Sequence, residues 1–442
     1  MKMFSGQNLW QEAKNIIPGG NQLLSKQPEM FLPDQWPAYY EKAKGCQIWD
    51  LDGKSYLDFS HMSVGTCILG YADDDVNTAV IESIKKGSIS TLNSWEEIAF
   101  AKELLGCHSW ADQVRFSRTG GEACCIAIRI ARAASGKEKV VFCGYHGWHD
   151  WYLSSNIGDE KQLDKQLLPG IDPKGVPEGL GNTTYPFQFG DINAVEKILH
   201  CHHEDVAAII MEPVRETIDI QFLKEVKLLS QKYNVILIFD EITSGFRLNY
   251  GGAHKNFNVE PDMAIFGKAI GNGHPISAVI GKRKIMEAAQ ETFISSTYWT
   301  ERVGFSAGLA TLKKMKSIEA QKMVVNHGKA IRKGLNEAAV RAGVKMKIMG
   351  IDPLLHVSFD YADGDVVQTF FTQEMMEMGF LTGSAIYPTS VYSDQQIKSF
   401  LMASEAAFSD IAKAIQQNTV LKRLKGPVKH AGLRRLTAAK VT

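Results

Sequence analysis

This chain has no Cys-x-x-Cys pair, no excess charge of either sign, no internal repeat and no low-complexity linker. Its seven cysteines are odd in number, and Cys124 and Cys125 are neighbours within an expected helix. That pattern fits reduced thiols better than a disulfide framework. No apolar run approaches a membrane span, and the first residues, through Lys14, hold no apolar core of signal-peptide length. The expectation is a soluble, cytoplasmic protein without a membrane partner. Lys+Arg and Asp+Glu are both 49, so the formal net charge is zero. No general attraction to nucleic acid follows. Zero net charge does favour association, and an oligomer would be unsurprising.

The 442 residues are 45% hydrophobic and 22% charged, an ordinary globular composition for two or three domains. A helix is expected over 8–17, ending at Pro18-Gly19-Gly20, followed by short strands at 38–42, 46–50 and 55–59. From about 70 to 315, helices alternate with apolar strands at 113–117, 139–143, 206–211, 235–239, 262–266 and 277–280. This alternation predicts an α/β fold with a mainly parallel sheet covered by helices. Residues 151–188 show no clear period, and a loop of that length is expected to be functional or to lie against another subunit. After about 318, a smaller α/β unit is expected, with helices 318–342, 364–376 and 394–417. The expected domains are therefore 1–69, 70–317 and 318–442. The tail from Lys422 carries seven Lys or Arg and no acid. It reads first as a solvated terminus and second as a basic rim for an anionic substrate.

The chemistry concentrates at expected strand ends, where α/β proteins keep their reactive groups. The run Val235–Phe239 ends in Asp240-Glu241, and Asp262–Phe266 leads into Gly267-Lys268 and further glycines. Asp240 should be buried, and a buried carboxylate needs a cationic partner. A protonated pyridine nitrogen would supply one, and magnesium is the competing partner. Lys268, boxed by Gly267, Gly271 and Gly273, has the setting of a desolvated amine nucleophile able to form a Schiff base. Glu212, after strand 206–211, adds a second acid at the same edge. Thr119-Gly120-Gly121 opens the expected helix 121–134, where backbone N–H groups can converge on a phosphate. The GxxxxGK[ST] spacing of a P-loop is missing. Tyr145, after strand 139–143, is placed to stack on a planar ring, and Ile242 to cover its other face. His146, His149 and Asp150 offer metal-ligand types, but in mixed spacing on an expected loop, so no metal is expected. Together these residues predict a pyridoxal phosphate (PLP) enzyme.

With these motifs the chain resembles the class III, fold-type I PLP aminotransferases, particularly the branch of glutamate-1-semialdehyde 2,1-aminomutase. The resemblance runs from Ile17-Pro18-Gly19-Gly20 to the carboxy-terminal part. Its most specific motifs are Thr119-Gly120-Gly121-Glu122-Ala123, Tyr145-His146-Gly147, Glu212-Pro213, Asp240-Glu241-Ile242 with Ser244-Gly245-Phe246-Arg247, and Phe266-Gly267-Lys268. It implies a seven-stranded, mainly parallel sheet with helices on both faces, and a smaller domain built from both termini. By the same resemblance Lys268 carries the cofactor and shuttles the proton. Asp240 pairs with the ring nitrogen, and Glu212 is an acid near the ring hydroxyl. Thr119, Gly120 and Gly121 bind phosphate, and Tyr145, His146 and Ile242 complete the cofactor site. Thr297 matches the threonine that reaches the phosphate of a neighbouring subunit, which implies a homodimer with shared active sites.

The chain also departs from the family pattern. Gly121 stands where the phosphate turn usually has a threonine. Leu23 and Lys26 stand where the aminomutase holds its substrate carboxylate with serine and arginine, and lysine lacks the bidentate fork. Trp299-Thr300-Glu301-Arg302 replaces a small Ser-Gly-Asn-Pro stretch. The expected activity is transfer of an amino group from an amino-acid donor, glutamate first, to a carbonyl acceptor such as a keto-sugar or cyclic ketone. The aminomutase is the alternative. Racemisation or decarboxylation would use the same core residues, whereas a non-catalytic binding protein would have no need of Lys268 and Asp240.

Overall fold

The computed structural model describes residues 5–434 and 436, apart from 158, 160, 167–169 and 215–216. The chain divides into two compact units, one of Asp73–Lys322 and one of the residues up to Ala72 together with those from Met323 onward.

The larger unit is built on seven strands: β1 Gln113–Ser117, β2 Lys139–Cys143, β3 Thr184–Pro186, β4 Val206–Met211, β5 Ile236–Asp240, β6 Met263–Phe266 and β7 Ser277–Gly281. They lie in the order β1-β7-β6-β5-β4-β2-β3. Only β7 runs against its neighbours, pairing antiparallel with both β1 and β6. The other pairings are parallel. Strand β4, Val-Ala-Ala-Ile-Ile-Met, is buried at every position, as a strand covered on both faces requires. Helix Gly120–Ser135 buries Ala123, Cys124, Ala127, Ile130 and Ala131, and joins residues of β2, β4, β5, β6 and β7 in one apolar core.

Two details differ from the sequence expectation. The stretch 151–188 is not a bare loop, because Asp150–Leu153 is a short helix and β3 pairs with β2. Strand β3 contains Pro186, which an edge strand tolerates, and three residues give no periodic signal. In the smaller unit, Phe380–Leu381 adds in parallel to the amino-terminal strand Ser55–Asp58, and Ala385–Ile386 pairs with Leu355–Phe359. Both strands have two residues, too few to show alternation.

Part of the basic tail is held against the fold where it is described. Lys429 pairs with Asp365 at 2.9 Å, and Lys425 with Glu377. The backbone N–H of Lys425 donates to Gln373 at 2.8 Å and that of Lys429 to Thr369 at 3.0 Å. These contacts lay the segment along helix Gly364–Glu377. No helix among the described residues is long and apolar enough to cross a membrane.

Candidate active site

Because β4, β5 and β6 run parallel, their carboxyl ends share one edge of the sheet. Glu212 follows β4, Asp240 ends β5, and Lys268 follows β6 after one glycine. Lys268 sits at φ 47°, in the left-handed region that costs a side-chain-bearing residue about 1–2 kcal/mol. Such strain persists where the surrounding structure imposes it. Its Nζ donates to Thr243 Oγ1 at 2.8 Å. Burial pushes the lysine pKa below its ordinary value, Glu212 and Asp240 pull it back up, and Arg247 opposes them. The result is an amine that gives up its proton more readily than a surface lysine.

Asp240 is 3% exposed and surrounded by donors. His146 Nδ1 lies 2.8 Å from its Oδ2, and the Ile242 backbone N–H donates to Oδ1 at 3.0 Å. His146 Nε2 is 3.1 Å from the Cys143 carbonyl, which only accepts, so Nε2 carries a proton. Cys124 Sγ lies 3.4 Å from Asp240 Oδ2. Burial first, and then Asp240 itself, pushes the Cys124 thiol well above its usual pKa, so it stays a donor. Cys124, His146 and Asp240 have ligand atoms within 4.8 Å of one another, a metal-type donor set. The 2.8 Å separation of Nδ1 and Oδ2 is that of a hydrogen bond between them.

The acidic pair divides its roles. Glu241 turns away into the core, accepting from Ser244 Oγ at 2.6 Å, Ala253 N at 2.9 Å and His254 Nδ1 at 2.7 Å. Burial raises its pKa, but the hydrogen bonds from His254 and Ser244 outweigh that and hold it below the usual value. Glu241 is thus an anchor for the loop at 253–254.

The turn before helix Gly120–Ser135 is held by a capping box. Thr119 Oγ1 accepts from Glu122 N at 3.3 Å, and Glu122 Oε2 accepts from Thr119 N at 2.9 Å. A Cβ on Gly120 would stand 2.8 Å from Ile242 Cδ1. Glycine therefore lets the turn close onto Ile242, which also packs near Gly267, one residue before the lysine. Tyr145 is 41% exposed, and its N–H points to Glu212 Oε2 at 3.4 Å. The residue before it, Gly144, is fixed by Gln166 Oε1 at 2.8 Å and by Tyr152 Oη at 3.0 Å. The stretch after 151 thus supports the site from below.

The Trp299–Arg302 stretch braces the same turn. Trp299 Nε1 donates to Glu122 Oε1 at 3.3 Å, and Arg118 Nε to the Tyr298 carbonyl at 2.8 Å. Arg302 pairs with buried Glu96 at 2.8 Å. That pairing commits Arg302 to the fold and removes it from the cations open to a substrate anion. Thr297 begins the short turn Thr297–Thr300 of this brace. Sequence reasoning singled out neither Thr243, Cys124 as a partner of Asp240, nor His149 beside Gly121. Thr243 lies between the two halves of a motif already noted, whereas the other two had no local signal.

A planar aromatic aldehyde bearing a phosphate fits these residues. There is an amine for the aldehyde, a buried carboxylate for a cationic ring nitrogen, and a glycine turn at a helix start for the phosphate. Comparison with known proteins agrees with that chemistry. The class III aminotransferase profile matches residues 33–407. The chain is 32% identical over 368 residues to 3-aminobutyryl-CoA aminotransferase of Cloacimonas acidaminovorans, covering 81% of this chain and 84% of that protein. It is 33% identical over 380 residues to glutamate-1-semialdehyde 2,1-aminomutase of Methanocaldococcus jannaschii, covering 83% and 85%. It is 31% identical over 336 residues to 2'-deamino-2'-hydroxyneamine transaminase of Streptomyces kanamyceticus, covering 75% and 81%. The fold superposes on the FumI protein of Sphingopyxis sp. MTA144, solved in its PLP internal aldimine form, with a TM-score of 0.85 at 22% identity, over 93% of this chain and 97% of that one.

Proposed function

We propose that this chain, which belongs to the class III aminotransferases, moves an amino group from an amino-acid donor, with L-glutamate first among candidates, to a carbonyl acceptor. The observation that carries the reading is the Lys268 amine, oriented by Thr243 and with its pKa lowered by burial, at the sheet edge that also holds Glu212 and Asp240. When bound, PLP supplies an aldehyde for the incoming amine and a ring that withdraws electrons from the carbon losing its proton. Lys268 would hold the cofactor through its amine and, once released, would be the group placed to move that proton. Asp240 would keep the ring nitrogen cationic, and His146 and Cys124 fix the carboxylate in place. Glu212 sits beside the lysine and the Tyr145 backbone. Tyr145 and Ile242 would hold the ring, while Thr119 Oγ1 and the N–H groups at 120 and 121 would hold the phosphate.

The acceptor is proposed as a keto-sugar or small cyclic ketone. The named transaminase of 2'-deamino-2'-hydroxyneamine supports that class, and the aminotransferase of 3-aminobutyryl-CoA supports an open-chain carbonyl as the next candidate. The aminomutase reading is carried by the relative of that name, and Leu23 and Lys26 stand against it. A homodimer with shared sites, Thr297 reaching its partner's phosphate, is supported by large apolar side chains left exposed on the larger unit. Leu92 is 81% exposed, Trp95 66%, Tyr298 68% and Phe293 84%. The segments of the first three are joined by Arg302, through its N–H to the Ser88 carbonyl at 2.8 Å and its side chain to Glu96. Large apolar side chains left exposed in neighbouring segments are consistent with a surface that a partner covers.

The test is to add L-glutamate, without acceptor, to the PLP-loaded protein and follow its visible absorption. Conversion to the amine form of the cofactor supports the donor half of the reaction. Acceptor screening would follow, with glutamate-1-semialdehyde as the aminomutase control. A visible band that ignores glutamate points to another donor or another PLP reaction. Failure to form any band with added PLP overturns the reading.

A further inference from the structure

The phosphate turn lacks a side chain at Gly121, and a histidine stands in the space. A Cβ built on Gly121 would lie 3.1 Å from His149 Cε1 and 3.2 Å from His149 Nδ1. The imidazole thus occupies the volume into which the family's usual threonine would project. His149 Nδ1 is buried and has no hydrogen-bond partner among the described residues. A buried polar nitrogen left unpaired costs about 1–3 kcal/mol, so its presence asks for a ligand.

The ring is held firmly in this place. It stacks on Trp148 with centroids 4.7 Å apart. The His149 carbonyl accepts from Tyr152 N at 2.9 Å and Leu153 N at 3.2 Å, fixing the residue at the start of helix Asp150–Leu153. Gly147, at φ 104°, brings the loop so near the turn that a Cβ there would meet Gly121 Cα at 2.8 Å. Two glycines therefore face each other and let the histidine reach the helix start. Burial lowers the imidazole pKa, and Glu122 and Asp150 pull the other way. The net lowering favours a neutral ring with one N–H to donate.

We propose that His149 is a phosphate-binding residue for the cofactor, its Nδ1–H donating from the place left by the side chain missing at Gly121. This rests on the reading of residues 119–121 as the phosphate turn. The sequence change and the histidine then form one exchange, a hydroxyl donor on the helix replaced by an imidazole donor from the neighbouring loop.

The test compares PLP-loaded wild type with His149→Ala, His149→Asn, Thr119→Val and the double variant Gly121→Thr/His149→Ala. Two quantities are read, the ³¹P resonance of bound cofactor and the PLP dissociation constant after stripping and titration. His149→Ala should shift the resonance and weaken binding by about ten- to a hundredfold, the worth of a hydrogen bond to a charged group. His149→Asn, which keeps a side-chain N–H near the Nδ1 position, should recover most of the affinity. The double variant should recover part of it through the threonine hydroxyl, and it keeps the comparison available if the single alanine variant folds poorly. If Thr119→Val moves both readouts while His149→Ala and His149→Asn move neither, the histidine only fills space and this inference is wrong. If no variant moves either readout, the phosphate-turn reading falls with it.

Discussion

His146 Nδ1 stands 2.8 Å from Asp240 Oδ2, and both side chains are almost wholly buried. The histidine reaches Asp240 from the loop after β2, while its other nitrogen is held by the Cys143 carbonyl at the end of that strand. The carboxylate is therefore oriented by protein groups of its own, before any ring nitrogen arrives. Leaving a buried hydrogen-bonding group without its partner costs about 1–3 kcal/mol. His146→Leu should destabilise the cofactor-free protein by that order in urea unfolding. The loss should be smaller with PLP bound, because the ring nitrogen remains as a partner for Asp240. Equal losses in the two forms would mean that Asp240 does not meet the ring.

Lys268→Ala should abolish the visible band of bound cofactor and lower amino transfer by roughly a hundred- to ten-thousandfold, the usual contribution of a positioned proton-transfer group. Thr243→Val should keep the band and reduce the rate far less, since it removes only the hydrogen bond that orients the amine. Stopped-flow absorbance with glutamate separates the two. A Lys268→Ala protein that still transfers at the wild-type rate would place the chemistry elsewhere.

Gly120→Ala places a methyl 2.8 Å from Ile242 Cδ1. Overpacking of this kind costs about 1–3 kcal/mol. The cost should appear as lost stability and weaker cofactor binding, and Ile242→Val in the same chain should relieve much of it. Non-additive unfolding free energies would show the coupling. Additive ones would mean that Ile242 does not set the limit at this turn.

The pH dependence of stability has an identifiable contributor in His108. Burial pushes its pKa down to about 4, with smaller opposing and reinforcing effects from its neighbours. Its Nδ1 donates to the Leu104 carbonyl at 2.8 Å, and Nε2 is buried without a partner among the described residues. A folded pKa below the unfolded value, about 6.5, means that the unfolded chain takes up the proton first as pH falls. Stability from this group is present above about pH 6.5 and is lost as pH falls through about 4, to a total of about 3 kcal/mol. His108→Asn should flatten this part of the curve in urea titrations between those values. An unchanged slope would assign the acid sensitivity to other groups.

Local sequence was enough for the alternation of helices and strands, for the acids at the ends of β4 and β5, and for the lysine after β6. Each of these is written in consecutive residues: an apolar run long enough for a buried strand, then a polar residue that cannot stay inside without a task. The glycine turn at 119–121 was equally visible, because helix starts have local chemistry. The edge strand β3 and the two-residue strands of the smaller unit were not, since pairing with a distant segment is all that defines them.

The sequence by itself determined the fold class, the sheet edge that gathers Glu212, Asp240 and Lys268, and Asp240 and Lys268 as the residues most in need of a chemical reason. Tertiary structure alone decided what holds each of the two adjacent acids, that Thr243 receives the lysine, that Cys124 and His146 hold Asp240, and that His149 fills the gap at Gly121. Asp240 and Glu241 are neighbours in sequence, yet one meets His146 and the other His254. The difference lies in partners 94 and 13 residues away along the chain. Hydropathy and turn chemistry act between near neighbours and can be read along the chain. Hydrogen bonds between separate loops exist only once packing has brought those loops together.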